Sequence, residues 1–196
     1  MLNVKKILVA ASVFAATLAS ANTTVLTFDD LQTNGGVVQM PQHYGGLTWD
    51  FSSNWSIGWQ VWDTAQYSYP AASGDNVAFA HSNEIGVSFA NASVFNGAFF
   101  GGHTTASFDL YLNNQLVASS PVGSMGTSGN AAQWIGSGYS GLVDRVHVKT
   151  YGGRSDWVMD NFTFTTAVPE PETYAMLLAG IGLIGSIVKR RKQNAV

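Results

Sequence analysis

Three features of this sequence predict an all-β fold, a two-sheet antiparallel β-sandwich of jelly-roll type. Short apolar segments alternate with period two, polar turn clusters separate them at steady spacing, and no segment of the body carries a helical period. Successive side chains of a strand point to opposite faces, so alternation marks one buried and one solvated side. Two apolar stretches at the ends lie outside this pattern. They predict an N-terminal signal helix and a C-terminal single transmembrane helix. The 196 residues therefore divide into a signal peptide (1–21), a β-sandwich domain (22–166) and a C-terminal tail (167–196).

The chain opens with Lys5 and Lys6, an apolar run from Ile7 to Leu18, and Ala19-Ser20-Ala21. A basic start, an apolar stretch of about 7–15 residues and an A-x-A site are the parts of a secretory signal peptide. The partners expected are the Sec export machinery and signal peptidase, with cleavage after Ala21.

In the body, Thr105–Leu112 alternates with Phe108, Leu110 and Leu112 on one side. Val143–Lys149 places Val146 and Val148 on one face, and Trp157–Thr165 does the same with Val158, Phe162 and Phe164. Further strands are expected at Thr24–Phe28, Leu47–Phe51, Ile57–Trp62, Val77–His81, Ile85–Phe89, Val94–Phe100, Leu116–Ser119 and Gln133–Gly136. All are rich in Val, Phe, Trp, Tyr and Thr. Asn113-Asn114 reads as a hairpin turn, because Asn tolerates the left-handed backbone such turns need. Pro121–Gly129 reads as a Gly/Ser/Thr-rich loop. No internal repeat supports a β-solenoid.

Charge and composition exclude several functions. Between Asn22 and Val168 only Arg145, Lys149 and Arg154 are basic; nine Asp and Glu84 oppose them and leave a net charge of −7. An acidic body without a basic stripe does not bind nucleic acid, where Lys and Arg neutralise phosphate. The absence of cysteine excludes disulfides, thiolate metal sites and a Cys nucleophile.

The tail reads Pro169-Glu170-Pro171, an apolar run from Tyr174 to Val188, and then Lys189, Arg190, Arg191 and Lys192. The run is short against the roughly 17–25 residues of a bilayer span, but the Lys189 stem extends it by snorkelling. The basic cluster belongs in the cytoplasm by the positive-inside rule, which puts the body outside the inner membrane. Gly180-Ile181-Gly182-Leu183-Ile184-Gly185 matches the dinucleotide-binding G-x-G-x-x-G pattern. It lacks the strand, the βαβ unit and the downstream acid that pattern requires, and small residues in a membrane helix account for it.

The proline–glutamate–proline triplet, the apolar helix and the closing basic cluster together resemble the PEP-CTERM sorting signal. The resemblance covers about the last thirty residues. It implies a bacterium with an outer membrane, recognition by exosortase, cleavage near Pro169–Pro171, transient anchoring in the inner membrane, and release to the cell surface or an exopolysaccharide matrix. The same tail occurs on some ice-binding proteins, so it carries an address and not an activity.

A second resemblance spans most of the body. Leu26–Leu31, Tyr44–Trp49 and Met159–Phe164 are similar to the pattern of PEP-CTERM proteins with a jelly-roll, galactose-binding-like domain. In such modules the first and last strands meet, and a calcium ion often sits there. That implies a structural calcium at Asp29, Asp30, Asp160 and Asn161, since calcium takes six to eight oxygens. The alternative is a turn at Asp29-Asp30 and an ion pair between Asp160 and Arg145 or Arg154.

Trp55, Trp59, Trp62, Tyr67 and Tyr69, with Trp49 before them, crowd one stretch and are candidates for stacking on sugar rings, with exopolysaccharide as the ligand. Trp59 and Trp62 do not share a strand face, so core packing is the competing reading. Catalysis has little support: His43, His81, His103 and His147 are scattered, no zinc-protease or nucleophile-elbow motif occurs, and Glu84 is the body's only Glu. Asn22, Asn54, Asn91 and Asn161 begin N-x-[ST] sequons that chance explains in an Asn/Ser/Thr-rich chain. The expectation is a non-catalytic, exported surface or matrix protein; an ice-binding protein and a polysaccharide hydrolase are the alternatives.

Overall fold

Thirteen strands account for most of the body in a computed structural model of the chain, which describes residues 22–51, 58–64, 69–127, 130–152, 156–166 and 179–181. They are β1 (Asn22–Leu26), β2 (Val37–Gln39), β3 (His43–Tyr44), β4 (Leu47–Trp49), β5 (Gln60–Asp63), β6 (Asn76–Phe79), β7 (Glu84–Gly102), β8 (Thr105–Leu112), β9 (Gln115–Ser119), β10 (Gly123–Ser124), β11 (Gln133–Gly136), β12 (Val143–Tyr151) and β13 (Trp157–Thr166). The chain divides into two units, Ala21–Ala167 and the termini Met1–Ser20 with Val168–Val196. Of the second unit only residues 179–181 are described, and they are helical. The signal segment, Pro169-Glu170-Pro171, the basic cluster and most of the apolar tail lie outside the described residues, as do Trp55 and Tyr67. Among the described residues no helix is long and apolar enough to cross a membrane.

The strands join antiparallel in the order β10-β8-β12-β7-β13-β6-β5-β2, with β1 beside β13, β11 and β4 beside β7, β3 beside β4, and β9 beside β8. The antiparallel all-β class is therefore as the alternation implies. The hairpin between β8 and β9 also has the expected turn. Asn113 and Asn114 both adopt positive φ, 52° and 61°, and Leu112 faces Gln115 across it.

Strand β7 differs from expectation. Two strands, Ile85–Phe89 and Val94–Phe100, are one continuous element. Its first part runs between β12 and β4, with Val87 opposite both Val146 and Trp49. Its second part runs between β13 and β11, with Phe99 opposite both Asp160 and Trp134. The register against β12 shifts between Val143 and Arg145, facing the small Ala90-Asn91-Ala92 segment, where the strand changes neighbours without leaving the extended conformation. The Pro121–Gly129 loop also holds a short strand. β10 pairs with Ala106 and Thr105, and Gly123 lies so close to Ile135 that a Cβ there would come within 2.8 Å of it.

One core cluster collects inward side chains from both stretches of β7 and their partners: Phe108, Leu110, Val146 and Val148 on one hand, Phe95, Phe100, Met159, Phe162 and Phe164 on the other. Trp49, Trp59 and Trp157 cross its centre edge to face, with ring centroids 5.1 and 5.8 Å apart. Each such side chain contributes roughly 1.5–3 kcal/mol by leaving water. A smaller cluster of Trp62, Val77, Phe79 and Val158 lies on the opposite face of β5, β6 and β13, because Val61, Ala78 and Met159 between them point into the main core.

Candidate functional site

The site begins where the first and last strands meet. β1 pairs with β13 along its length, Asn22 opposite Thr166 and Leu26 opposite Phe162. Just beyond β1, Phe28 is fully buried at a φ of 62°, a left-handed conformation that costs an aromatic residue about 1–2 kcal/mol. Trp49 holds its ring edge-on at 5.7 Å, and the Asn76 amide donates to its carbonyl at 3.1 Å. This turn presents Asp29 to the segment between residues 72 and 76.

Asp29 and Asp160 grip that segment from two sides. Asp29 Oδ1 accepts the backbone N–H of Asp75 (3.0 Å) and Asn76 (3.1 Å). Asp160 Oδ2 accepts those of Ala72 and Ser73, both at 2.8 Å, and its Oδ1 accepts that of Asn161 at 2.6 Å. Asn161 sits at a φ of 49°, where the register of β13 against β7 shifts, and accepts the Ser73 hydroxyl at 2.8 Å. Gly74 turns the segment at a φ of 50°, and a Cβ there would collide with the Asp29 carboxylate. Burial pushes Asp160 up to about 6, against three N–H donors that favour its ionised form, and the nearby Asp29 charge adds to the rise.

The residues singled out for calcium thus do converge, apart from Asp30, but as a backbone clamp. The set does not fit the ion. Asp160 is 1% exposed and engages both oxygens with N–H donors. Asp30 turns away to accept the Tyr44 hydroxyl at 2.6 Å; burial and that acceptor raise the Tyr44 phenol well above its ordinary value. Among the described residues no group of three or more His, Cys, Asp or Glu is placed to hold a metal. Asp160 does not pair with Arg145 either. Beside the clamp lies a cleft of about 480 Å³ lined by Asp29, Thr33, Asn34, Asp63, Asp75 and Asn76 among others, with no Lys or Arg among the described residues of its walls.

The aromatic candidates separate. Trp59 is 1% exposed in the main core and donates its indole N–H to the Gly86 carbonyl at 3.0 Å, so it is not part of a sugar platform. Trp62 and Tyr69 do come together, their rings parallel within 2° at 6.1 Å, but Trp62 is 7% exposed and packed on Phe79 at 4.4 Å. Tyr69 is half-buried with His103 edge-on to it at 5.6 Å. Burial, with the Asp156 charge, raises its phenol. These rings fasten the segment before Ala72 onto the sheet and leave little face for a ligand.

The outward side of β12 is charged. Arg145 Nη2 donates to both oxygens of Asp50 (2.9 and 2.7 Å), Nη1 to Ser88 (2.7 Å) and Nε to His147 Nε2 (2.7 Å). An arginine only donates, so His147 Nε2 accepts and Nδ1 carries the proton toward Glu84 Oε1 at 2.6 Å. Lys149 pairs with Asp109 at 3.0 Å, and Ser119 donates to the same carboxylate at 2.6 Å. These groups satisfy one another, and the imidazole offers no free nitrogen to a substrate.

Sequence reasoning reached Asp29, Asp160 and Asn161 but not their partner, the segment Ala72–Asn76. The signal for it was the turn text Ser73-Gly74-Asp75-Asn76, which marks a loop without saying what holds it.

The class these features define is an antiparallel β body that carries an address at its C-terminus. Residues 167–192 match the family model of the PEP-CTERM protein-sorting motif. The motif indicates an exported protein targeted to exosortase. No curated protein and no solved structure matches the chain.

Proposed function

We propose that this protein is exported through a signal peptide at residues 1–21, anchored transiently in the inner membrane by a single helix in its tail, cut by exosortase near Pro169–Pro171, and delivered to the cell surface or extracellular matrix as a non-catalytic component that holds exopolysaccharide. The observation that carries the reading is the sorting-motif match at residues 167–192. The basic start, apolar run and A-x-A site at the other end agree with it.

The body is a two-layer sandwich in this reading. β7 contributes its first part to a layer with β8, β12 and β4 and its second part to a layer with β11, β13, β6 and β5, and the shared core cluster lies between them. A non-catalytic role is supported by the state of Glu84. A glycosidase needs two carboxylates flanking the scissile bond, and the body's only Glu is tied to His147, itself held by Arg145.

Expression of the full chain in cells with and without exosortase tests the reading. Loss of the tail near Pro169–Pro171, with the body outside the cell only when exosortase is present, is expected. An intact tail retained in the inner membrane of both strains would overturn it.

A further inference from the structure

The outward face of the β11–β7–β13 strands carries an aromatic surface that the crowded tryptophan stretch does not include. Trp134 lies on β11 opposite Phe99 and is 44% exposed. Gly136 is two residues along on the same face, and Gly97 pairs directly with Gly136. A Cβ on Gly97 would meet Trp134 Cζ2 at 2.8 Å, and one on Gly136 would meet Trp134 Nε1 at 3.3 Å. At Gly97, whose φ is 146°, the added Cβ would also strike the Ile135 carbonyl oxygen at 2.4 Å, so the indole packs against both glycines where β7 and β11 run closest. Phe99 braces it edge-on at 5.1 Å. Glycine at both positions leaves the indole room beside the strands; a Cβ at Gly136 would crowd Trp134 Nε1, and one at Gly97 would crowd both the ring and the facing backbone.

The rim of this shelf is neutral and hydrogen-bonding. Thr163 pairs with Gly97. Thr165 donates to Asn96 Oδ1 at 3.1 Å, which leaves the exposed Asn96 amide NH2 as a donor. Among the described residues the body's cations, Arg145 and Lys149, are held by Asp50 and Asp109 on the charged side of β12.

We infer that Trp134, packed against Gly97 and Gly136, is a stacking platform for neutral hexopyranose units of a polysaccharide, with Asn96 and Thr165 meeting the ring hydroxyls. The C–H face of a pyranose matches an exposed indole face, and its hydroxyls match an amide and threonine rim. The acidic body and the uncharged rim disfavour uronates and other anionic chains. The inference rests on the polysaccharide-holding reading above and names the surface that would do the holding.

Affinity electrophoresis of the full chain, in a detergent without a sugar headgroup, tests it in gels containing β-glucan, galactan or mannan, with polygalacturonate as the anionic comparison. The wild type is expected to be retarded by at least one neutral polysaccharide and not by polygalacturonate. Trp134→Ala is expected to weaken that binding about tenfold or more, Trp134→Tyr to retain most of it, and Tyr151→Ala, an exposed aromatic on β12, to leave it unchanged, all with unaltered circular dichroism. Retardation that Trp134→Ala leaves intact would overturn the platform while leaving polysaccharide holding in place. No retardation in any neutral gel, or a preference for polygalacturonate, would overturn both the platform and the polysaccharide reading and leave the sorting reading untouched.

Discussion

The two outer sides of the body solve the same problem in different ways. On β12 exposure alternates from Arg145 onward, and the outward Arg145 and Lys149 pair with Asp50 and Asp109. On β6 all four residues are buried, because the outward face there is covered by the smaller aromatic cluster and its partly buried neighbours Val37, Tyr69 and Ala71. The first side tolerates water and needs only pairing. The second is dry on both faces, so the segment from Tyr69 to Asn76 must be held down by groups strong enough to outweigh the entropy of ordering it. Asp29 and Asp160 are those groups. Charges at the surface therefore tune this fold, whereas the buried carboxylate under the loop maintains it.

Substitution at Asp160 breaks the comparison most directly. Asp160→Ala leaves the N–H groups of Ala72, Ser73 and Asn161 without their acceptor, and urea unfolding should show a loss of about 3 kcal/mol. Asp160→Asn, which keeps one acceptor oxygen, should lie between it and the wild type. Next in size is the turn itself. Gly74→Ala meets both a left-handed backbone and the Asp29 carboxylate, and about 2 kcal/mol should be lost. Gly46→Ala is the control: its φ is 77° but nothing lies within 4 Å of the added Cβ, so only the backbone cost of about 1 kcal/mol should appear.

Titration sharpens the contrast, because the two sides respond to pH with opposite sign. Asp160 is raised to about 6 in the folded protein. Between the unfolded value near ~4 and the folded one the native state binds the extra proton, so its contribution falls as pH rises through that window and is flat above it. Asp109 goes the other way. Burial raises it, but the Ser119 hydroxyl and Lys149 outweigh burial and its pKa is lowered. Its contribution is present above the unfolded value near ~4 and is lost as pH falls through the folded one. Unfolding midpoints measured from pH 3 to 8 should lose the first slope in Asp160→Asn and the second in Asp109→Asn. The smallest effect is expected at the surface pair: Lys149→Ala should cost about 0.5 kcal/mol, and less still in high salt.

Legibility in the sequence followed how local each cause was. The alternation of Val143–Lys149 and the Asn113-Asn114 turn depend on neighbours in the chain, and both were readable. The single course of β7 was not, since Ala90-Asn91-Ala92 reads as a break and is kept extended only by strands far away in sequence. The clamp was half legible. Asp29, Asp160 and Asn161 carry the chemistry of oxygen donors, which fits a cation as well as backbone N–H groups, and only the position of Ala72–Asn76 distinguishes the two. Among the aromatics, parity along Trp59–Trp62 showed that the two tryptophans part company, but not that Trp59 joins Trp49 and Trp157 in the core while Trp134 stays outside.

By itself, then, the sequence determined the antiparallel β class, most strand positions and the sorting address at residues 167–192, because side-chain period, turn chemistry and a contiguous motif are properties of neighbouring residues. The tertiary structure alone decided which carboxylates became loop clamps, which tryptophans were buried, and which ring was packed against two glycines. Those outcomes depend on pairing between strands distant in the chain, and a one-residue change of register there would turn every side chain to the other face.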